Sequence, residues 1–184
     1  MADVLILADH DGGKIAKTAA ELATFARKAG TPVAVLLAGN GEADSLGAQI
    51  ANTDVERIIA VENEAFASHG IAAFVDALAQ VVESSKPEAI FIASSARGKE
   101  IAGRLAVRID SGVITDAIDV SSDFGATQSV FGGSFTVSSK VTRGIPVITI
   151  RPSSIEANVT SNSPAIEKVN VAISDKAKIG RAHV

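Results

Sequence analysis

Residues Val4-Leu5-Ile6-Leu7-Ala8 form an unbroken apolar run, without the polar alternation of a sheet that has one face in water. Such a run predicts a strand covered on both faces. A punctuating turn follows, Asp9-His10-Asp11-Gly12-Gly13. From residue 14 to 28 the apolar positions Ile15, Ala19, Leu22 and Ala26 recur at helical spacing, and Gly30 stands where a helix C-cap would take a positive φ. The pattern then repeats: a strand over 32–37, a short helix over 42–51, a strand over 57–61, and a long amphipathic helix over 71–84 with Phe74, Leu78 and Val81 or Val82 inward. Pro87 stops that helix. Residues 89–93 are a fourth apolar strand, and 98–109 a further helix with Ile101, Leu105 and Ile109 on one side. Strand and helix alternating over about 110 residues predict a doubly wound α/β domain with right-handed crossovers.

From Asp116 onwards the texture changes. Ser, Thr and Gly become dense, helical spacing stops, and short β-type segments take over at 117–120, 127–131, 135–141 and 147–150. Gly132-Gly133 and Arg143-Gly144 sit where hairpin turns would fall, so this region reads as an antiparallel extension of the parallel sheet. A polar loop over 152–164 precedes a last alternating strand over 166–173.

Composition narrows the function classes. Among 184 residues, 47% are hydrophobic, enough for a real core, and the formal charge of −4 gives no electrostatic footing on nucleic acid or anionic lipid. With no cysteine there are no disulfides, thiol nucleophiles or thiolate metal sites. No apolar run approaches the roughly 20 residues that span a bilayer, and a strand begins almost at Met1. The expectation is therefore a bacterial cytoplasmic chain, with neither nucleic acid nor membrane insertion among its partners.

In an open α/β sheet ligands bind past the carboxyl ends of the strands, which directs attention to residues 9–13, 39–44 and 94–99. Asp9-His10-Asp11 places an imidazole between two carboxylates, either a polar turn capping the next helix or a group that orients a base or binds a metal. His69 reads as a solvated cap. Ser94-Ser95-Ala96-Arg97-Gly98-Lys99 ends a strand and opens a helix: Ser95 caps the helix, or the free N–H groups with Arg97 and Lys99 hold an anion. Arg97, Arg104 and Arg108 form a basic stripe, with Glu100 placed to pair with Arg104; the stripe is a solvated face or a polar subunit contact. Phe124, Phe131 and Phe135 gather around Gly132-Gly133, as a partner face or as cover for the sheet.

The segment Gly98-Lys99-Glu100-Ile101-Ala102-Gly103-Arg104-Leu105-Ala106, followed by Val113-Ile114-Thr115-Asp116-Ala117-Ile118, resembles the GKxxxxRxA…ISDI signature of the electron transfer flavoprotein α subunit. Three further segments resemble that family in the same order: Asp9-His10-Asp11-Gly12-Gly13, Val130-Phe131-Gly132-Gly133 and Thr149-Ile150-Arg151-Pro152. Departures are Ser134 where Asn is usual, Phe131 where Tyr is, and Gln128 near a usual Arg. The resemblance implies a Rossmann-like, adenine nucleotide α-hydrolase-like domain over 1–173. It also implies a heterodimer with the family's β subunit, carrying electrons on one FAD from acyl-CoA and related dehydrogenases to a membrane quinone reductase, as in fatty-acid β-oxidation.

In that family the FAD is held mainly by a C-terminal domain, expected to be missing here, so the fragment is expected to be a scaffold with no catalytic residue, no cofactor-binding residue and no metal. Arg97, Lys99, Arg104, Asp116 and Phe131 are the expected partner-contact residues. Residues 174–184 read as a truncated linker, and Ile179-Gly180-Arg181-Ala182-His183-Val184 resembles the translation of a sequencing adapter, so His183 is expected to carry no function. Two rivals stand beside this reading. One is a nucleotide-binding regulatory domain for AMP or ATP, for which Ser94 to Gly98 and Gly103 are only a loose phosphate loop; the other is a hydrolase working through His10.

Overall fold

The computed structural model describes residues 2–174, so the adapter-like tail and all but the first residue of the expected linker lie outside the described residues. The first half of the chain alternates as its pattern requires. β1 (Asp3–Leu7) leads to a miniature hairpin of β2 (His10–Asp11) and β3 (Lys14–Ile15), then α1 (Thr18–Ala29), β4 (Thr31–Ala38), α2 (Ala43–Gly47) and β5 (Arg57–Glu62). A short α3 (Ala65–Ser68) and the long α4 (Ile71–Ser85) precede β6 (Ala89–Ala93) and α5 (Ala96–Arg108). The second half is almost all strand: β7 (Val113–Val120), β8 (Ala126–Val130), β9 (Phe135–Ser139), β10 (Val147–Ile150) and β11 (Ala165–Lys168).

All of these except β2 and β3 join one sheet in the order β11-β5-β4-β1-β6-β10-β7-β8-β9. From β11 to β7 every pairing is parallel, and β8 and β9 add an antiparallel ribbon. The apolar runs are explained by two cores, one on each side. Val4 and Ile6 of β1 face α1 and α2 together with Phe91 of β6, while Leu5 and Leu7 face α4 and α5 together with Ile90 and Ile92. Each fully buried Leu, Ile or Phe adds about 1.5–3 kcal/mol over its exposed state, so the two layers supply the stability of the domain. Among the described residues no helix is long and apolar enough to cross a membrane.

The structure departs from the sequence reading at four places. Arg143-Gly144 is not a hairpin turn. After β9 the chain returns to the middle of the sheet and inserts β10 between β6 and β7 as a parallel strand. All four residues of β10 are buried, and only an interior position covers both of its faces. Helix α1 starts at Thr18, because Gly12 (φ +53°) and Gly13 (φ +75°) form a two-residue turn that pairs Asp11 with Lys14.

Gly30 does close α1, donating its N–H to Ala26 O at 2.8 Å, but in an extended conformation (φ −175°). Crowding selects glycine there, since a Cβ would lie 2.5 Å from Ala2 O and 2.8 Å from Val4 Cγ2. The last strand is confined to Ala165–Lys168 and pairs with β5 at the edge opposite the ribbon. Beyond it Val169, Val171 and Ile173 pack into the α4 side of the core, and Gln80 exchanges hydrogen bonds with both backbone groups of Ala172.

To reach that far edge, residues 152–164 cross the α1 side as a strap. Ser153 N–H donates to Glu21 Oε2 (2.9 Å), Asn158 N–H to Thr24 Oγ1 (3.0 Å) and Thr160 N–H to Asn52 O (3.0 Å). Lys168 then clamps β11 down, with Nζ 2.9 Å from Asp44 Oδ2 and 3.5 Å from Glu62 Oε2.

Candidate functional site

The chain runs from β1 outward through β4 to β5, then returns to the other side of β1 as β6. The strand order therefore switches between β1 and β6, the place where open α/β sheets leave a crevice. Two loops meet there. Asp9 follows β1 and Arg97 opens α5 after β6, and their charged ends lie 3.6 Å apart. The Arg97 guanidinium also lies over the Phe74 ring, 4.3 Å from its centroid. Beside this pair is a cavity of about 380 Å³, walled by Leu37, Phe66, Ile71 and Phe74, with His10, Glu42 and Arg97 as its polar groups.

His10 donates from Nε2 to Leu37 O (2.9 Å), which joins the β1 and β4 loops. The turn containing it caps nothing: α1 has no side-chain N-cap. His69 closes α3 and bonds Ser68 Oγ through Nδ1 (2.7 Å), and the N-cap of α4 is Gly70. Ser95 is the N-cap of α5, its Oγ accepting from Gly98 N–H at 2.9 Å.

Lys99 turns to the other side of α5, toward a second cluster. Asp116 lies in β7 at a register shift against β10 and adopts φ +63°. Its Oδ2 accepts from Arg151 Nη2 (2.6 Å) and Nε (3.1 Å), while Lys99 Nζ stands 4.0 Å from Oδ1. Arg151 Nη2 also donates to Ser129 O in β8 (3.0 Å), so the pair holds the ribbon to the parallel sheet. Thr149, fully buried, accepts from Asp116 N–H (2.9 Å) and donates to Ser94 Oγ (3.1 Å).

The five expected contact residues thus fall in four places. Asp116 and Lys99 share a cluster; Arg97 belongs to the switch point; Arg104 pairs with Glu100 along the exposed side of α5 (2.8 Å). Phe131 stands at the tip of the β8–β9 ribbon. The basic stripe is likewise divided, since Arg108 reaches Asp76 of α4 at 3.3 Å. Sequence reading did not single out Arg151 and Thr149 as contact residues. The available signal was one hydroxyl inside the apolar run Val147-Ile148-Thr149-Ile150, next to a cation where that strand ends.

Charge at this cluster makes stability depend on pH. The hydrogen bond from Arg151, with burial opposing it and Ser94, the Arg151 charge and Lys99 adding to it, holds the Asp116 carboxyl below its ordinary 3.8. A carboxyl lowered in the folded state stabilises above its unfolded pKa and loses that contribution as pH falls through the folded value. Asn tolerates a positive φ, so Asp116→Asn removes the charge without added backbone strain. Between about pH 5 and 7 the variant should unfold at a urea midpoint lower by roughly a few tenths molar, because half-exposed pairs are screened. Urea titrations at falling pH should show the gap closing below about pH 4. A gap that stays constant down to about pH 2 would refute this origin.

The residues present do not fit a dinucleotide such as FAD. Ser95 Oγ already accepts from Gly98 N–H, which takes that first-turn donor of α5 from any phosphate. The switch-point cavity lies near the small end of the roughly 300–1,000 Å³ range of ligand pockets and suits one ring system. Flavin chemistry therefore has no step assigned to these residues.

Residues 4–174 match the family model of the electron transfer flavoprotein domain. The chain is 40% identical over 173 residues to the electron transfer flavoprotein subunit alpha of Mycobacterium tuberculosis (strain H37Rv), covering 94% of this chain and 54% of that protein. It is 39% identical, with the same coverage, to the like-named subunit of Mycobacterium leprae. To that of Syntrophomonas wolfei it is 31% identical over 176 residues, covering 94% of this chain and 55% of the relative. The chain spans about half the length of the curated relatives it matches.

Proposed function

Because this chain belongs to the electron transfer flavoprotein family, we propose that residues 1–173 are the N-terminal scaffold domain of an α subunit. It packs against a β subunit in a heterodimeric electron carrier and performs no chemistry of its own. In the whole carrier one FAD, held mainly by the α subunit's second domain, takes electrons from acyl-CoA and related dehydrogenases and passes them to a quinone reductase, in a bacterial cytoplasm. A flavin's potential is set by charges and hydrogen bonds near its ring, and on this reading those groups lie in the second domain and the partner.

The observation that carries the reading is the apolar tip of the β8–β9 ribbon. Phe131 is 81% exposed and Phe135 63%, their rings in an edge-to-face pair with centroids 5.9 Å apart. Val137 continues the same exposed strand. Two adjoining aromatic rings left in water suit a subunit contact. Arg151, bonded to Asp116 of β7, also ties Ser129 of β8 to the sheet.

Co-expression of the chain with an electron transfer flavoprotein β subunit, followed by size exclusion with absorbance in the flavin region, tests this. We expect a one-to-one complex without flavin colour. Failure to form the complex, or stoichiometric flavin on the chain alone, would overturn it; a rise in melting temperature with AMP or ATP alone would favour a nucleotide-binding module.

A further inference from the structure

We propose that the switch-point cavity binds a small planar molecule, apolar over most of its surface and bearing one carboxylate, with the Arg97 guanidinium as its anion anchor. The inference does not depend on the subunit reading above. Its first support is the shape and chemistry of the cavity: about 380 Å³, at the carboxyl ends of β1 and β4, with walls that are mostly aromatic and aliphatic. Phe66 and Phe74 stand against each other with centroids 4.8 Å apart and a 40° tilt, offering ring surface to a flat body.

The second support is the state of Arg97. Its guanidinium rests over the face of Phe74. Its charge partner Asp9 is 3.6 Å away, beyond hydrogen-bonding range, and among the described residues the Arg97 side chain makes no hydrogen bond. A guanidinium offers five donors in a plane that matches a carboxylate, and here they border an apolar space where such a bond is strengthened. The other two polar groups are engaged. His10 Nε2 donates to Leu37 O, and Glu42 Oε2 accepts from Gly39 N–H (2.9 Å), which holds the one carboxylate of the wall to its own loop. An anion entering the cavity therefore meets a cation with open donors, and a neutral ring system meets the same walls without that bond.

The test uses naphthoate and the neutral naphthalenemethanol, which share a ring system and differ in charge. The chain contains neither Trp nor Tyr, so naphthalene fluorescence is read without protein background, and amide shifts of the labelled chain locate the site. Naphthoate should give saturable shifts at His10, Gly39, Gly70 and Arg97 and bind about tenfold more tightly than the alcohol, the difference expected for a charge-assisted bond. In Arg97→Gln that preference should vanish while the alcohol binds as before. Three results would overturn the proposal: no saturable shift around the cavity, shifts confined to the Phe131–Phe135 tip, or a carboxylate preference that survives in Arg97→Gln.

Discussion

Replacing Gly98 by alanine should destabilise the domain by about 3 kcal/mol, although helix propensity alone argues for a gain of about 1 kcal/mol. Gly98 lies in the first turn of α5, where the helix starts directly against the end of β6. A Cβ there would fall well inside van der Waals contact with the Ala93 carbonyl oxygen and within 3.1 Å of Ile92 Cγ2. The obstructing atom is backbone in the middle of a parallel sheet, so relief requires α5 to move. Movement there breaks the Ser95 cap and displaces Arg97 and Lys99, which stand on either side. Gly103, in the same helix with nothing within 4 Å of its virtual Cβ, is the control: Gly103→Ala should gain stability by about the propensity difference. Urea unfolding followed by far-ultraviolet circular dichroism separates the two signs. Equal effects at both positions would remove the argument from close packing.

On the proposed subunit reading, substituting both rings at the ribbon tip should weaken binding to a β subunit by about a hundredfold or more, a typical cost of removing aromatic anchors from an interface. The choice of variant matters. Phe131 has φ +52°, which asparagine adopts more readily than other residues, and Phe135 is a strand position, where threonine keeps β preference. Phe131→Asn with Phe135→Thr thus removes the rings and leaves the backbone its conformation. Both side chains are mostly in water, so the isolated chain should unfold within about 0.5 kcal/mol of the parent. Arg104→Ala, on the exposed side of α5, is expected to change affinity less than about threefold. Calorimetry on the purified partners decides; a double variant that binds like the parent would sink the assignment of the tip to this contact.

The alternating half of the fold was legible because burial on both faces leaves a plain mark. Residues 4–8, 32–37, 58–61 and 89–93 are apolar without interruption, and the helices between them repeat at helical spacing. What periodicity does not contain is the order of strands. Val147 to Ile150 reads as a strand at any position, and its place between β6 and β7 follows from contacts with partners 34 and 57 residues distant, Val113 and Ala93 among them.

The side-chain cluster around Asp116 was legible to the same extent. Asp116 and Lys99 were picked out and do share a cluster. The main partner of Asp116, Arg151, reaches it only because β10 lies beside β7. Gly12 and Gly13 were recognised as a turn, yet the hairpin they build, which delays α1, depends on pairing between Asp11 and Lys14 that side-chain pattern does not encode.

The placement of β11 bears on how the molecule comes into being. Ala165 lies opposite Arg57, with roughly a hundred residues of chain between them, and the strap must be laid across α1 before the two can meet. On a ribosome, β5 emerges early and its outer row of amides and carbonyls stays bare while everything up to residue 164 is still being made. Such an edge is a template for other chains. Nascent molecules of this domain are thus most prone to clump during the interval between the appearance of β5 and the arrival of β11, and whatever shortens that interval or shields that edge raises the yield of native protein.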